Sequence, residues 1–139
     1  LPSRDDKAHA RLASEALFAT ALLPDAQLYV DPILDLDRTM DTAHGVLDGL
    51  CNPRPIFHAL RCLNTLLYTY RKAWVPEERE EKGVRILALR SEEHVLELLL
   101  PEEPVGWTSA SQRIYDLAAG TVAVDTDKVL IAGPSLVYA

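Results

Sequence analysis

The hydrophobic period of this chain changes near its middle, and that change restricts the folds open to it. Before residue 74, Ile56, Leu60, Leu63, Leu67 and Tyr70 recur at helical spacing and form one continuous apolar stripe. After residue 83, Val84 to Leu89 and Val95 to Leu100 are β-rich runs, and Ser91, Glu92, Glu93 and His94 between them supply a turn, which predicts a hairpin. Helical patterning followed by strand patterning predicts an α+β fold, with a helical N-terminal half followed by a small antiparallel β-sheet or sandwich.

Other elements follow from local signals. Ser3 and Asp6 fit a capping box, and Leu12, Ala16, Ala19 and Leu23 repeat at helical spacing before Pro24, so a first helix is expected over about residues 4–22. Gln27 to Val30 reads as a short strand ending at Asp31 and Pro32. Ile33, Leu34 and Leu36 alternate with Asp35 and Asp37, which suits either a second short strand or a loop with its apolar residues tucked under; the loop is preferred. Thr39 to Leu50 suits a short helix weakened by Gly45 and Gly49, and Asn52, Pro53, Arg54 and Pro55 open the long second helix.

Pro76 and the charged run Glu77 to Lys82 have the composition of an exposed connector. The expected organisation is therefore a helical segment with one short strand over 1–75, a linker over 76–83 and an antiparallel β module over 84–139. Within that module Leu96 to Leu100 reads as a buried strand. Ile114 to Leu117, Val122 to Val124, Val129 to Ala132 and Leu136 to Tyr138 supply further strands, broken by Gly120, by Asp125 to Lys128, and by Gly133 with Pro134.

Composition enters where it excludes functions. At 139 residues the chain is too short for a complete eight-stranded α/β barrel, which takes about 250 residues. Its 14 basic against 21 acidic residues give a net charge of −7, which argues against nucleic acid and anionic membrane as partners. No stretch reaches the roughly 20 apolar residues of a membrane span, and Arg4, Asp5, Asp6 and Lys7 do not follow the order of a signal peptide. The chain starts at Leu1, so the native start is not in view, and it reads as either a fragment or a processed chain. Cys51 and Cys62 read as free, buried thiols, since a disulfide across eleven positions near a helix boundary needs a favourable fold-back.

Few residues are patterned for chemistry. Asp31, Asp35, Asp37, Arg38, Asp41 and His44 form the main polar cluster, but their spacing does not match a calcium loop, and the aspartates suit turn-capping with Arg38 paired to one of them. Asp35 and Asp37 lie too close in sequence to read as an opposed catalytic acid and nucleophile. His44, His58 and His94 sit on different elements without zinc-ligand spacing, no serine lies in a nucleophile elbow, and no glycine-rich phosphate loop occurs. No metal and no cofactor are expected. Trp74 and Trp107 suit packing better than sugar stacking, while Arg54 and Arg61 are placed to hold loop carboxylates or carbonyls.

The run Leu28, Tyr29, Val30, Asp31, Pro32, then Asp35, Leu36, Asp37, Arg38, with His44, Gly45 and the Asn52 to Pro55 helix start, resembles the last strand, loop and helix of a barrel-type glycoside hydrolase. The Trp74 to Gly83 stretch and the strands after it, including Ile114 to Gly120, are similar to the small β-sandwich that often follows such a barrel. The resemblance implies a partial α/β barrel end and a terminal portion of a carbohydrate-cleaving enzyme, inactive alone. It also implies carbohydrate as ligand of the complete enzyme, a companion chain or preceding domain, and Asp31, Asp35, Asp37 and Arg38 at the edge of the substrate cleft. Catalytic residues would lie elsewhere. The rival reading is an autonomous α+β domain that binds a partner protein, and a third is a small carbohydrate-binding module with Tyr115 and Tyr138 as its aromatic platform.

Overall fold

The computed structural model describes residues 5–23, 25–30, 45–48, 50–69, 73–108, 113–124 and 128–138. Two helices, α1 (Asp6–Thr20) and α2 (Pro55–Thr69), precede eight strands: β1 (Val75–Glu81), β2 (Val84–Arg90), β3 (Val95–Pro101), β4 (Val105–Trp107), β5 (Arg113–Asp116), β6 (Thr121–Val124), β7 (Val129–Ile131) and β8 (Ser135–Tyr138). The fold is α+β, as the change of period predicts.

Helix α1 starts where the Asp5 carboxylate accepts hydrogen bonds from the amides of Lys7 and Ala8, which satisfies two otherwise orphaned donors. Its buried face is Ala10, Ser14 and Phe18, spaced four apart. The stripe read through Leu12 and Leu23 is therefore rotated, and Leu12 is 66 % exposed. Ser14 tolerates burial because its hydroxyl donates to the Ala10 carbonyl at 2.7 Å, leaving a small side chain with no unmet polar group at the packed face. On α2, Ile56, Ala59 and Leu63 are buried, and Leu60 and Leu67 are half-buried; Tyr70 lies outside the described residues.

A six-stranded sheet in the order β1-β2-β3-β8-β5-β6 and a two-stranded sheet β4-β7 complete the fold. All the pairings are antiparallel. Side chains alternate between the faces of the large sheet. Leu89, Leu96, Leu98, Leu100 and Leu136 share a core with Ala10, Phe18, Ala59 and Leu63 of the helices, so both parts of the chain contribute to one cluster. Val84, Ile86, Leu99, Ile114 and Val137 form a second core with Trp107 and Ile131 of the small sheet. The large sheet is thus a middle layer between a helix pair and a two-stranded ribbon.

Four local expectations are corrected. The stretch over 76–83 read as a connector is most of β1 and the turn after it: Lys82 and Gly83 both have positive φ, 53° and 74°, so the chain reverses in two residues and Glu81 faces Val84. Gln27 to Val30 forms no strand, and Thr39 to Leu50 is not helical where it is described. There, the Asp48 carboxylate accepts from the Leu50 and Asn52 amides and from Asn52 Nδ2, a local set of bonds that competes with a helix. Cys51 in that turn and Cys62 on α2 are free thiols, but Cys51 is exposed and Cys62 half-buried.

The barrel-end expectation is also overturned. A barrel's last strand is parallel to its neighbours in a closed sheet, whereas both sheets here are open and antiparallel.

The β5–β6 turn ties the sheet to α2. Asp116 caps it, its carboxylate accepting from the Ala118 and Ala119 amides and its carbonyl from the Gly120 amide at 2.8 Å. Gly120 has φ +71°, and a Cβ there would lie 2.5 Å from His58 Nδ1. Gly120→Ala is therefore expected to destabilise the fold by about 1–3 kcal/mol, read as a lower denaturant midpoint. Gly133→Ala, with open space and no positive φ, serves as the neutral control.

Candidate functional site

Asp31, Asp35, Asp37 and Arg38, together with Asp41 and His44, lie outside the described residues. The other residues with chemical potential are dispersed. Arg54 sits 3.7 Å from the Asp6 carboxylate, joining the starts of the two helices, while Arg61 is exposed. Trp74 packs against the helix–sheet core and Trp107 is buried in the second core with Lys82 Nζ 5.8 Å from its ring centroid, so both tryptophans serve packing. His94 Nδ1 lies 3.1 Å from the Tyr138 hydroxyl, and Ser91 spends its hydroxyl on the backbone of the β2–β3 turn rather than on the imidazole. Tyr115 and Tyr138 are partly buried against the helix–sheet core, which removes them as an open sugar platform. Among the described residues no group of three or more metal-ligating side chains occurs, and no helix is long and apolar enough to cross a membrane.

Hollows border the sheet at several places. One of about 280 Å³ lies between the end of α1 and the β1–β2 hairpin, lined by Phe18, Leu22, Pro76, Leu87 and Leu89. Its rim carboxylates, Glu77 and Glu78, are already engaged by Arg90 at 2.6 Å and Arg85 at 2.7 Å. Another, of about 560 Å³, lies at the β2–β3 turn beside Val75, Arg90, Ser91 and Glu92. Among the described residues lining it, the one cation, Arg90, is held by Glu77.

The sheet's two outer edges differ in kind. β1 carries Glu77, Glu78, Arg79, Glu80 and Glu81, and Pro76 lacks a backbone donor. On the face away from the helices, Glu77 pairs with Arg90, and Glu97 receives Arg79 at 2.9 Å and Arg90 at 3.8 Å, a ladder across three strands. On the helix face Arg85 joins Glu78 of β1 to Glu15 of α1. Hydrogen bonding from Arg90 holds the Glu77 carboxyl below its ordinary range, and the same contact raises the Arg90 guanidinium. Charged side chains and a proline on an edge are what keep it from pairing with another strand.

The opposite edge, β6, reads Thr121, Val122, Ala123, Val124 and holds no charge. Val122 and Val124 are 52 % and 51 % exposed. Register places Val122 beside Tyr115 and Val124 beside Arg113 on the helix face, yet only Tyr115 is packed against the helix–sheet core. Beside this edge Leu130 of β7 is 70 % exposed, and a cleft of about 140 Å³ runs between the sheets past Ile114, Val122, Ala123 and Leu130. Among the described residues no strand pairs with the outer side of β6. The sequence shows Val122 to Val124 as a strand; its place at the end of the sheet depends on β8 inserting between β3 and β5, which no local signal announces.

No protein-family description, curated protein or solved structure matches the chain. Together with the open antiparallel sheets, this overturns the glycoside hydrolase likeness, and with it the hydrolase function, the sugar cleft and the carbohydrate ligand. Asp31, Asp35, Asp37 and Arg38, which that likeness set at the edge of the cleft, lie outside the described residues.

The guarded edge makes a prediction about pH. Because the folded Glu77 carboxyl is held below its ordinary value, the pair's contribution is present above the unfolded carboxylate pKa and is lost as pH falls through the lowered folded value. A carboxyl-detected NMR titration should place the Glu77 midpoint below 4.5, and Arg90→Ala should move it back up. An unchanged midpoint in the variant would remove Arg90 as the cause.

Proposed function

We propose that this chain is a protein-binding module that accepts an extended strand of another polypeptide along β6. The observation that carries this reading is the contrast between the edges: β1 is closed by charge and Pro76, while the outer side of β6 pairs with no strand among the described residues and is flanked by exposed Val122, Val124 and Leu130. Strand addition draws its affinity from main-chain hydrogen bonds and its selectivity from side chains on alternate positions. Val122 and Val124 lie outside the helix–sheet core that includes Tyr115, so a strand added beside β6 extends the sheet in its own plane next to the two valines.

The chemistry of the site narrows the partner. An uncharged edge on a chain of net charge −7 favours a segment whose contacting residues are apolar or hydroxylated, since a charge set opposite Val122 or Val124 gains no partner on β6. The flanking cleft is lined by Ile114, Ala123 and Leu130 together with Asp116, Thr121 and Ser135, which suits a small apolar or hydroxylated side chain directed between the sheets.

A labelled, uncharged peptide of alternating valine and threonine tests the reading by fluorescence anisotropy and hydrogen exchange. Saturable binding is expected, with exchange slowed at the amides of 121–124 and at least tenfold weaker binding in the Val122→Lys, Val124→Lys variant. Glu80→Ala on the opposite edge should leave binding unchanged. Equal binding by the lysine variant, or protection confined to β1, would refute the assignment.

A further inference from the structure

Resting on the reading of β6 as the docking edge, we infer that the strand it takes is β6 of a second copy, paired antiparallel about a two-fold axis through Ala123. Three observations select this occupant.

The first is self-complementarity. Val122 and Val124 are two apart and share a face of the strand. In a two-fold antiparallel pair, faces match only where a helix-face residue meets a helix-face residue, and a slip of one position would turn every side chain over. Of the registers that satisfy this, the one centred on Ala123 alone sets both valines against valines, Val122 of one copy opposite Val124 of the other and the reverse. β-Branched pairs on one face are the favourable kind of cross-strand contact.

The second is charge. Two chains of net charge −7 repel, so a stable meeting of copies requires a contact strip free of like charges. β6 is such a strip. Two β1 edges would instead bring Glu77, Glu78, Glu80 and Glu81 against their own kind. Pairing of β1 with β6 would be head-to-tail and would not close, and the same four glutamates guard against it.

The third is closure. An isologous β6 contact joins two six-stranded sheets into one and leaves only the charged β1 strands at its ends, so assembly stops at two copies. The contact is small. Four residues a side with neighbouring Leu130 fall below the roughly 1,200 Å² of standard stable interfaces, so the association is concentration-dependent rather than obligate.

Sedimentation equilibrium on the full chain, over a wide concentration range and at low and high salt, tests this. The weight-average mass is expected to rise from that of one copy toward that of two, and salt should strengthen the association by screening the −7 charges. Val122→Lys with Val124→Lys sets ammonium groups opposite one another and should abolish the dimer. Val122→Lys with Val124→Glu sets opposite charges across the axis and should restore it, now weakened by salt. Circular dichroism and cooperative unfolding confirm that each variant folds; both positions are half exposed.

A constant monomer mass overturns the dimer, and if the valine–threonine peptide still binds, the edge reading stands without it. Association that survives the double lysine variant overturns the dimer by placing the contact elsewhere. Failure of the lysine–glutamate pair to restore association, in a folded variant, overturns the Ala123-centred pairing. If neither peptide nor second copy engages β6, both readings fall.

Discussion

A strand that is apolar on both faces cannot lie at the surface of a protein, and β3 is such a strand. Leu96, Leu98 and Leu100 need cover on one side and Leu99 on the other. The helix pair supplies the first cover and the β4-β7 ribbon the second, so the three layers follow from one run of leucines. The single charge on β3, Glu97, is tolerated because Arg90 reaches it from the adjacent β2 and Arg79 from β1 beyond it. Arg11 fastens the same assembly at its other end, donating to the Pro101 carbonyl at 2.8 Å and meeting Glu102 at 2.8 Å. The helix layer is thereby held to the end of β3 by a directed contact as well as by apolar burial.

What could be read from the sequence was what local chemistry decides. The α2 stripe, the β2–β3 hairpin and the breaks at Gly120 and at Gly133 with Pro134 each rest on residues adjacent in the chain, and each is found. The α1 stripe read from the sequence is rotated from the buried face because Ser14 counts as polar in a pattern but is buried in the fold, its hydroxyl satisfied within its own helix. β1 reads as a connector because five charged residues in seven positions hide a strand whose partners, Arg85, Arg90 and Glu97, come from other strands. Propensity scores the residue alone, whereas an edge strand is stabilised by what lies across from it.

The polar cluster drew attention in the sequence for the same reason that β6 escaped it. Aspartates and an arginine look like chemistry wherever they gather, while Thr-Val-Ala-Val looks like ordinary strand. Only the strand order reveals that this plain segment ends a sheet, and only comparison with β1 shows that one edge is charged and the other is not. A glycoside hydrolase likeness built on short runs of residues had no such topological anchor, and antiparallel pairing throughout leaves it none.

The strand order has a kinetic consequence. β8 follows every other strand in the chain, yet it sits in the middle of the large sheet and joins the β1–β2–β3 meander to the β5–β6 hairpin. Those two parts are built from local pairings and form early, but neither can reach the other until β8 has been synthesised and threaded between them. Until then the flanks of β3 and β5 are both bare edges, one of them bearing Leu96, Leu98 and Leu99. A nascent chain of this kind spends part of its synthesis with one flank of its most apolar strand bare, which is the interval in which a chaperone, or a neighbouring ribosome's product, would find it.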